Sequence, residues 1–276
     1  MAHTCLRRLI AALVQAALAI CGPLKAAAPA QGQAQSQAQM SASGTCASPD
    51  QIRPLNGVSH AAAAPPPPAP DGSDYRHLLR ATPAGWPIVA HWCVWIEPAT
   101  ALDGTGEARR QADWLAAVEV ALQQWSGLLS ISRVASPEQA QVRVWRRRPP
   151  LQRLADGRQR ASHGRAVLTL VAAMRQQQWW AEPRIDVLLG TGQAPLPLQA
   201  TALHELGHAF GLWAHSDQAG DAMAAIPGGR PVLQLSRRDR ATMQWLLGQR
   251  PRMPTATRPA ESPAAAPAPP KAPTAD

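Results

Sequence analysis

Apolar positions along the chain fall into short blocks whose spacing assigns most of the regular elements. Residues 88–96 (IVAHWCVWI) form a nearly unbroken apolar run, the pattern of a strand buried on both faces. From Glu107 to Leu129 the spacing changes, and Trp114, Val118, Ala121 and Trp125 line one face of a predicted helix. Ile131 to Val134 reads as a short strand, as does Gln141 to Trp145, where Val142 and Val144 alternate with polar neighbours. Residues 164–171 (GRAVLTLV) and Ile185 to Leu189 predict two more strands. Pro195 and Pro197 then open a helix through residue 210, and Ser236 to Asp239 begin a last one with Met243, Leu246 and Leu247 on its apolar side. The order is strand, helix, several strands, helix, loop, helix, which is a mixed α/β arrangement of the α+β kind.

The two ends do not share this patterning. Arg7 and Arg8 precede a short apolar run at residues 9–20, and small residues follow at Ala26, Ala27, Ala28 and Ala30. That layout predicts a signal peptide over residues 1–30, cut after Ala30, and the run is too short for an ordinary membrane-spanning helix. Lipid attachment at Cys21 is the alternative fate of this segment. Residues 31–74 are of low complexity, with QGQAQSQAQ and AAAAPPPPAP, and are expected to be a linker or short pro-segment. The Pro/Ala-rich stretch 250–276 reads as a disordered tail. Residues 75–249 remain as one domain of ordinary size, and all ten tryptophans lie within it.

The formal charge is +9, and lysine occurs only at Lys25 and Lys271, so arginine supplies nearly every cation. The run Arg146-Arg147-Arg148 is expected to be a solvated strand end, with contact to an anionic envelope polymer as the alternative. No interleaving of aromatic and basic residues suggests a nucleic-acid platform, and none is expected.

Candidate chemistry concentrates in residues 204–215, HELGHAFGLWAH. His204 and His208 stand four apart on a predicted helix, so one turn aims both imidazoles at a common point. Glu205, beside the first, can reach a water held there. Gly211 is placed to stop the helix with a positive φ, and His215 follows the turn as a third nitrogen donor. Three neutral imidazoles leaving one position open is the ligand pattern of catalytic zinc. The oxygen of Asp217 is the alternative third donor. Trp213 is expected to be a wall or packing residue.

With these residues the chain resembles the metzincin zinc peptidases, whose signature is HExxHxxGxxH followed by a Met-turn. His204, Glu205, His208 and Gly211 match in register. The family's third His position holds Ala214, and His215 comes one residue later, beyond the end of the helix. Asp221-Ala222-Met223 looks like the Met-turn, and Ala225 stands where other branches carry a Tyr, so the matrixin-like branch is the nearer resemblance. The resemblance implies a twisted mixed sheet with an active-site helix and a C-terminal helix. It implies a Zn2+ cofactor on His204, His208 and His215, Met223 as an apolar floor and Glu205 as general base. It also implies a protein or peptide substrate extended along an edge strand, for which residues 164–171 are the candidate. The expected activity is that of a secreted or extracytoplasmic zinc endopeptidase. The alternatives are an inactive zinc-binding domain and a hydrolase of a cell-wall amide.

Two cysteines remain after signal removal. Cys46 and Cys93 fit a disulfide, two free thiols, or, since residues 46–50 (CASPD) share the spacing of the matrixin cysteine switch, a thiolate cap on the metal.

Overall fold

In the computed structural model, the described residues are 46–55, 65–101, 104–226, 228–250, 253 and 255–256. Their centre is a mixed sheet. Strands β1 (Gln51–Pro54), β2 (Trp92–Ile96), β3 (Ile131–Arg133), β4 (Val142–Trp145), β7 (Gly164–Arg175) and β8 (Gln178–Leu189) lie in the order β1-β7-β8-β4-β2-β3. A two-residue β9 (Thr255–Ala256) also pairs with β8, and β5 (Gln152–Arg153) pairs with β6 (Gln159–Arg160) apart from the main sheet. Strands β2, β3, β4 and β8 run parallel, while β7 turns back antiparallel on β8 and β1 lies antiparallel on β7.

Helix α1 (Gly106–Ser126) crosses over between β2 and β3, its first turn capped by Thr105 accepting from Ala108 N–H at 3.2 Å. Its buried face, Trp114, Val118, Ala121 and Trp125, is the one its helical spacing predicts. Helix α2 (Pro195–Ala209) packs along α1, and the two indole N–H groups of α1 tie the layers together. Trp114 donates to Leu189 O at the end of β8, and Trp125 donates to Leu203 O in α2, at 3.3 and 3.1 Å. Val142, Val144, Ile185 and Val187 face these helices and are fully buried with them. Helix α3 (Arg237–Leu247) starts at Ser236 with a reciprocal capping box to Asp239, as the Ser-Arg-Arg-Asp sequence predicts.

Three differences from the sequence pattern matter. The β7–β8 hairpin extends well past the strands predicted at 164–171 and 185–189, because its turn is made by Gln176 and Gln177 with φ of 50° and 62°. Residues 51–54, inside the stretch expected to be a linker, form β1 on the edge of β7. Asp74 in the same stretch is buried, and Thr255 and Ala256, within the expected tail, pair with β8. Nothing local in these sequences marks them as strands, since their pairing comes entirely from distant partners. Among the described residues no helix is long and apolar enough to cross a membrane.

Candidate metal centre

Helix α2 carries His204 and His208 one turn apart, and Gly211 ends the segment with φ of 112°. That glycine is required twice over. Its φ lies in the left-handed region, and a Cβ there would fall 2.6 Å from Ile88 Cγ2. The sharp reversal brings Leu212 N–H back to Gly207 O at 3.0 Å and turns the chain toward His215.

The ligand atoms of His204, His208 and His215 all lie within 4.8 Å of one another. The rings of His204 and His215 stack with centroids 5.2 Å apart, and His208 meets both edge-on. The third ligand expected from sequence is therefore brought to the other two. The alternative donor is not, because Asp217 is held by Arg238 Nη2 at 2.9 Å and stands outside the cluster.

Hydrogen bonds decide which nitrogen of each helical histidine faces inward. His204 Nδ1 lies 2.8 Å from Ala222 O, and His208 Nδ1 lies 2.7 Å from Leu212 O. A carbonyl oxygen can only accept, so both Nδ1 atoms carry the proton and both Nε2 atoms present lone pairs. Those two Nε2 atoms face each other at 3.2 Å. Facing lone pairs repel unless a cation lies between them, so the donor set fits a metal ion. Burial pulls all three imidazoles toward the neutral, ligand-competent form, taking His208 down to about 3 with the neighbouring His204 adding to the effect.

Glu205 is buried beside this cluster. Burial pushes its carboxyl up to about 7, while the Ala166 N–H and the Arg165 charge pull the other way. The strand can approach so closely because residue 164 is glycine. A Cβ there would sit 2.6 Å from Thr201 Cγ2 and 2.7 Å from Glu205 Cγ. Gly164 and Ala166 are thus part of the site; the resemblance places them in the candidate substrate strand at 164–171, but nothing in the sequence marks their contact with Glu205.

The loop beneath is equally constrained. Met223 is fully buried under α2, and a Cβ at Gly207 would overlap its sulfur. Asp239 accepts from Ala222 N–H at 2.8 Å, Met223 N–H at 3.4 Å, Ser236 N–H at 2.9 Å and Tyr75 O–H at 2.8 Å. Arg238 joins the third-ligand loop to the Met223 turn through Ser216 Oγ at 3.2 Å and Asp221 Oδ2 at 2.8 Å. Trp213 stacks on the His208 ring with centroids 5.7 Å apart, the wall role expected of it.

A second group with metal-ligating atoms, Cys46, His91 and Cys93, is committed otherwise. Cys46 and Cys93 form a disulfide, which excludes the free-thiol and thiolate-cap readings. The chain matches no protein-family model and no curated protein sequence.

Proposed function

We propose that the protein is a zinc-dependent endopeptidase of metzincin type, nearest the matrixin-like branch. The observation that carries this reading is the convergence of His204, His208 and His215, with both helical imidazoles locked in the tautomer that donates through Nε2. The mixed sheet, with β7 antiparallel beside the parallel strands, α2 bearing two ligand candidates and Met223 beneath support the same assignment.

His204, His208 and His215 would hold the zinc, which when bound supplies a Lewis acid that polarises a carbonyl and acidifies water. The chain's own residues do the rest. Glu205 takes the proton of the attacking water and hands it to the leaving amine, a role suited to a buried carboxyl whose affinity for protons is raised toward neutrality. Ala166 N–H and the close approach of Gly164 hold that carboxylate in place. Trp213 stacks on the His208 ring, and the Nδ1 hydrogen bonds fix the planes of His204 and His208. Substrate would lie extended along β7, because β1 covers only Val171 to Met174 and leaves the edge from Gly164 to Thr169 without a strand partner among the described residues. Secretion is supported by the apolar run at residues 9–20 and by the disulfide.

The test is metal analysis joined to cleavage. Purified protein should carry close to one zinc per chain and cleave unfolded protein or quenched peptides. A chelator should abolish cleavage and added zinc restore it. Zinc bound without cleavage of any peptide would point to an inactive metal-binding domain. Cleavage of purified cell-wall polymer alone would point to the amide hydrolase.

A further inference from the structure

The sheet has a second face, turned away from α1 and α2, and it is not an ordinary solvated surface. By strand alternation Arg143 and Trp145 of β4, Arg184 of β8 and Thr169 and Val171 of β7 all project there. With Ile52 of β1, Pro137 and Glu138 they line a half-open cavity of about 300 Å³.

Arg184 is the unusual group. Its side chain is only 5% exposed. Nη1 donates to the carbonyl oxygens of Glu138 and Ala140. Nε and Nη2 have no hydrogen-bond acceptor among the described residues, and the Nε of Arg143 is buried in the same condition. The nearest carboxylate to Arg184, Glu182, lies 3.8 Å from Nη2 and is engaged by Arg175 at 2.5 and 3.2 Å. The other carboxylate on this face, Asp186, is held by Arg143 at 2.8 Å and by Trp145 Nε1 at 2.6 Å. Glu182 and Asp186 thus hydrogen-bond to Arg175 and Arg143, while Arg184, the most buried of the three cations, has only the longer 3.8 Å ion pair to Glu182. Buried N–H donors without acceptors are costly, and a guanidinium fork with free N–H donors matches a carboxylate. Burial lowers the proton affinity of Arg184, with Glu182 opposing it and the charges of Arg175 and Arg143 adding to it.

We propose that this cavity is a binding site for a small organic monocarboxylate, distinct from the metal centre and independent of the peptidase reading. The carboxylate takes the free N–H groups of Arg184 and Arg143, and a short apolar or aromatic body packs between Trp145, Ile52 and Val171. The nearness of Glu182, Asp186 and Glu138 disfavours a dianion such as phosphate. The volume suits a ligand of benzoate or amino-acid size.

The experiment is a calorimetric titration of the full chain with sodium benzoate, run with zinc and after its removal so that a carboxylate on the histidine cluster is told apart. Benzyl alcohol and inorganic phosphate serve as controls. Saturable benzoate binding that survives zinc removal is expected, with about tenfold or greater weakening in Arg184→Met. Thr169→Trp, which fills the cavity from an exposed position and leaves Arg184 intact, should abolish it; this variant decides the matter if Arg184→Met does not fold. No saturable binding, equal binding of benzyl alcohol or phosphate, or undiminished binding in Thr169→Trp would each overturn the proposal.

Discussion

Asp239 and His204 are joined through a single residue. Asp239 Oδ2 accepts the N–H of Ala222 at 2.8 Å, and the carbonyl oxygen of Ala222 takes the Nδ1 proton of His204 at 2.8 Å. A carboxylate on α3 therefore fixes the ring plane and tautomer of a metal-ligand candidate on α2 without touching it. Replacing Asp239 by Asn puts N–H groups against the donors it now satisfies, at about 1–3 kcal/mol for each buried donor left unpaired. Urea unfolding of Asp239→Asn should show this loss. Its zinc affinity should fall about 10–100-fold, the usual cost of losing an outer hydrogen-bond partner. Unchanged zinc affinity would detach Asp239 from the site.

Gly207 offers a sharper steric test. Alanine in a helix interior normally gains up to about 1 kcal/mol over glycine. Here the added Cβ would overlap Met223 Sδ and fall 2.9 Å from Trp125 Cζ2, both in the buried core. Overpacking of that kind costs about 1–3 kcal/mol, so the clash wins. Gly207→Ala should melt lower than the parent protein, and a higher melting temperature would mean that α2 does not rest on Met223 as described.

The third ligand can be ranked against its neighbour. His215→Ala should weaken zinc binding by more than the roughly 10–100-fold that an outer partner is worth. Asp217→Ala should weaken it far less, since Asp217 only anchors the loop to Arg238 from an exposed position. Zinc competition against a chromophoric chelator reads both. The reverse ranking would place the oxygen donor in the site.

The buried groups also set a pH dependence for the metal-free protein. Glu205 is raised from 4.5 to about 7, so the stability it contributes is full below 4.5 and is lost as pH rises through 7. His208 is lowered from 6.5 to about 3, so its contribution is present above 6.5 and is lost as pH falls through 3. Between 4.5 and 6.5 the two oppose each other. Glu205→Gln removes only the first. With chelator present, the melting temperature of this variant relative to the parent should therefore rise from pH 4.5 to pH 8. A difference that does not change with pH would mean that the carboxyl is not buried as described.

What the sequence disclosed follows from how local each feature is. The histidines, Gly211 and the Ser236 cap are legible because helix periodicity and capping act within a few residues. The long hairpin was not, because Gln176 and Gln177 take positive φ without the glycine or asparagine that usually announces such a turn. Strand β1 was hidden in a polar stretch, since its only reason to be extended is the free edge of β7. Gly164, Ala166, Arg238 and Asp239 entered the site from remote segments, so no spacing rule could have gathered them.

The central claim is that Glu205 is the general base of a three-histidine zinc site. Glu205→Gln keeps the shape and hydrogen-bonding capacity of the side chain and removes its basicity. Zinc content and peptide cleavage measured on the same preparation test the claim most directly. The expected result is a full complement of zinc with cleavage reduced about 100-fold or more. Near-normal cleavage by the zinc-loaded variant would contradict it.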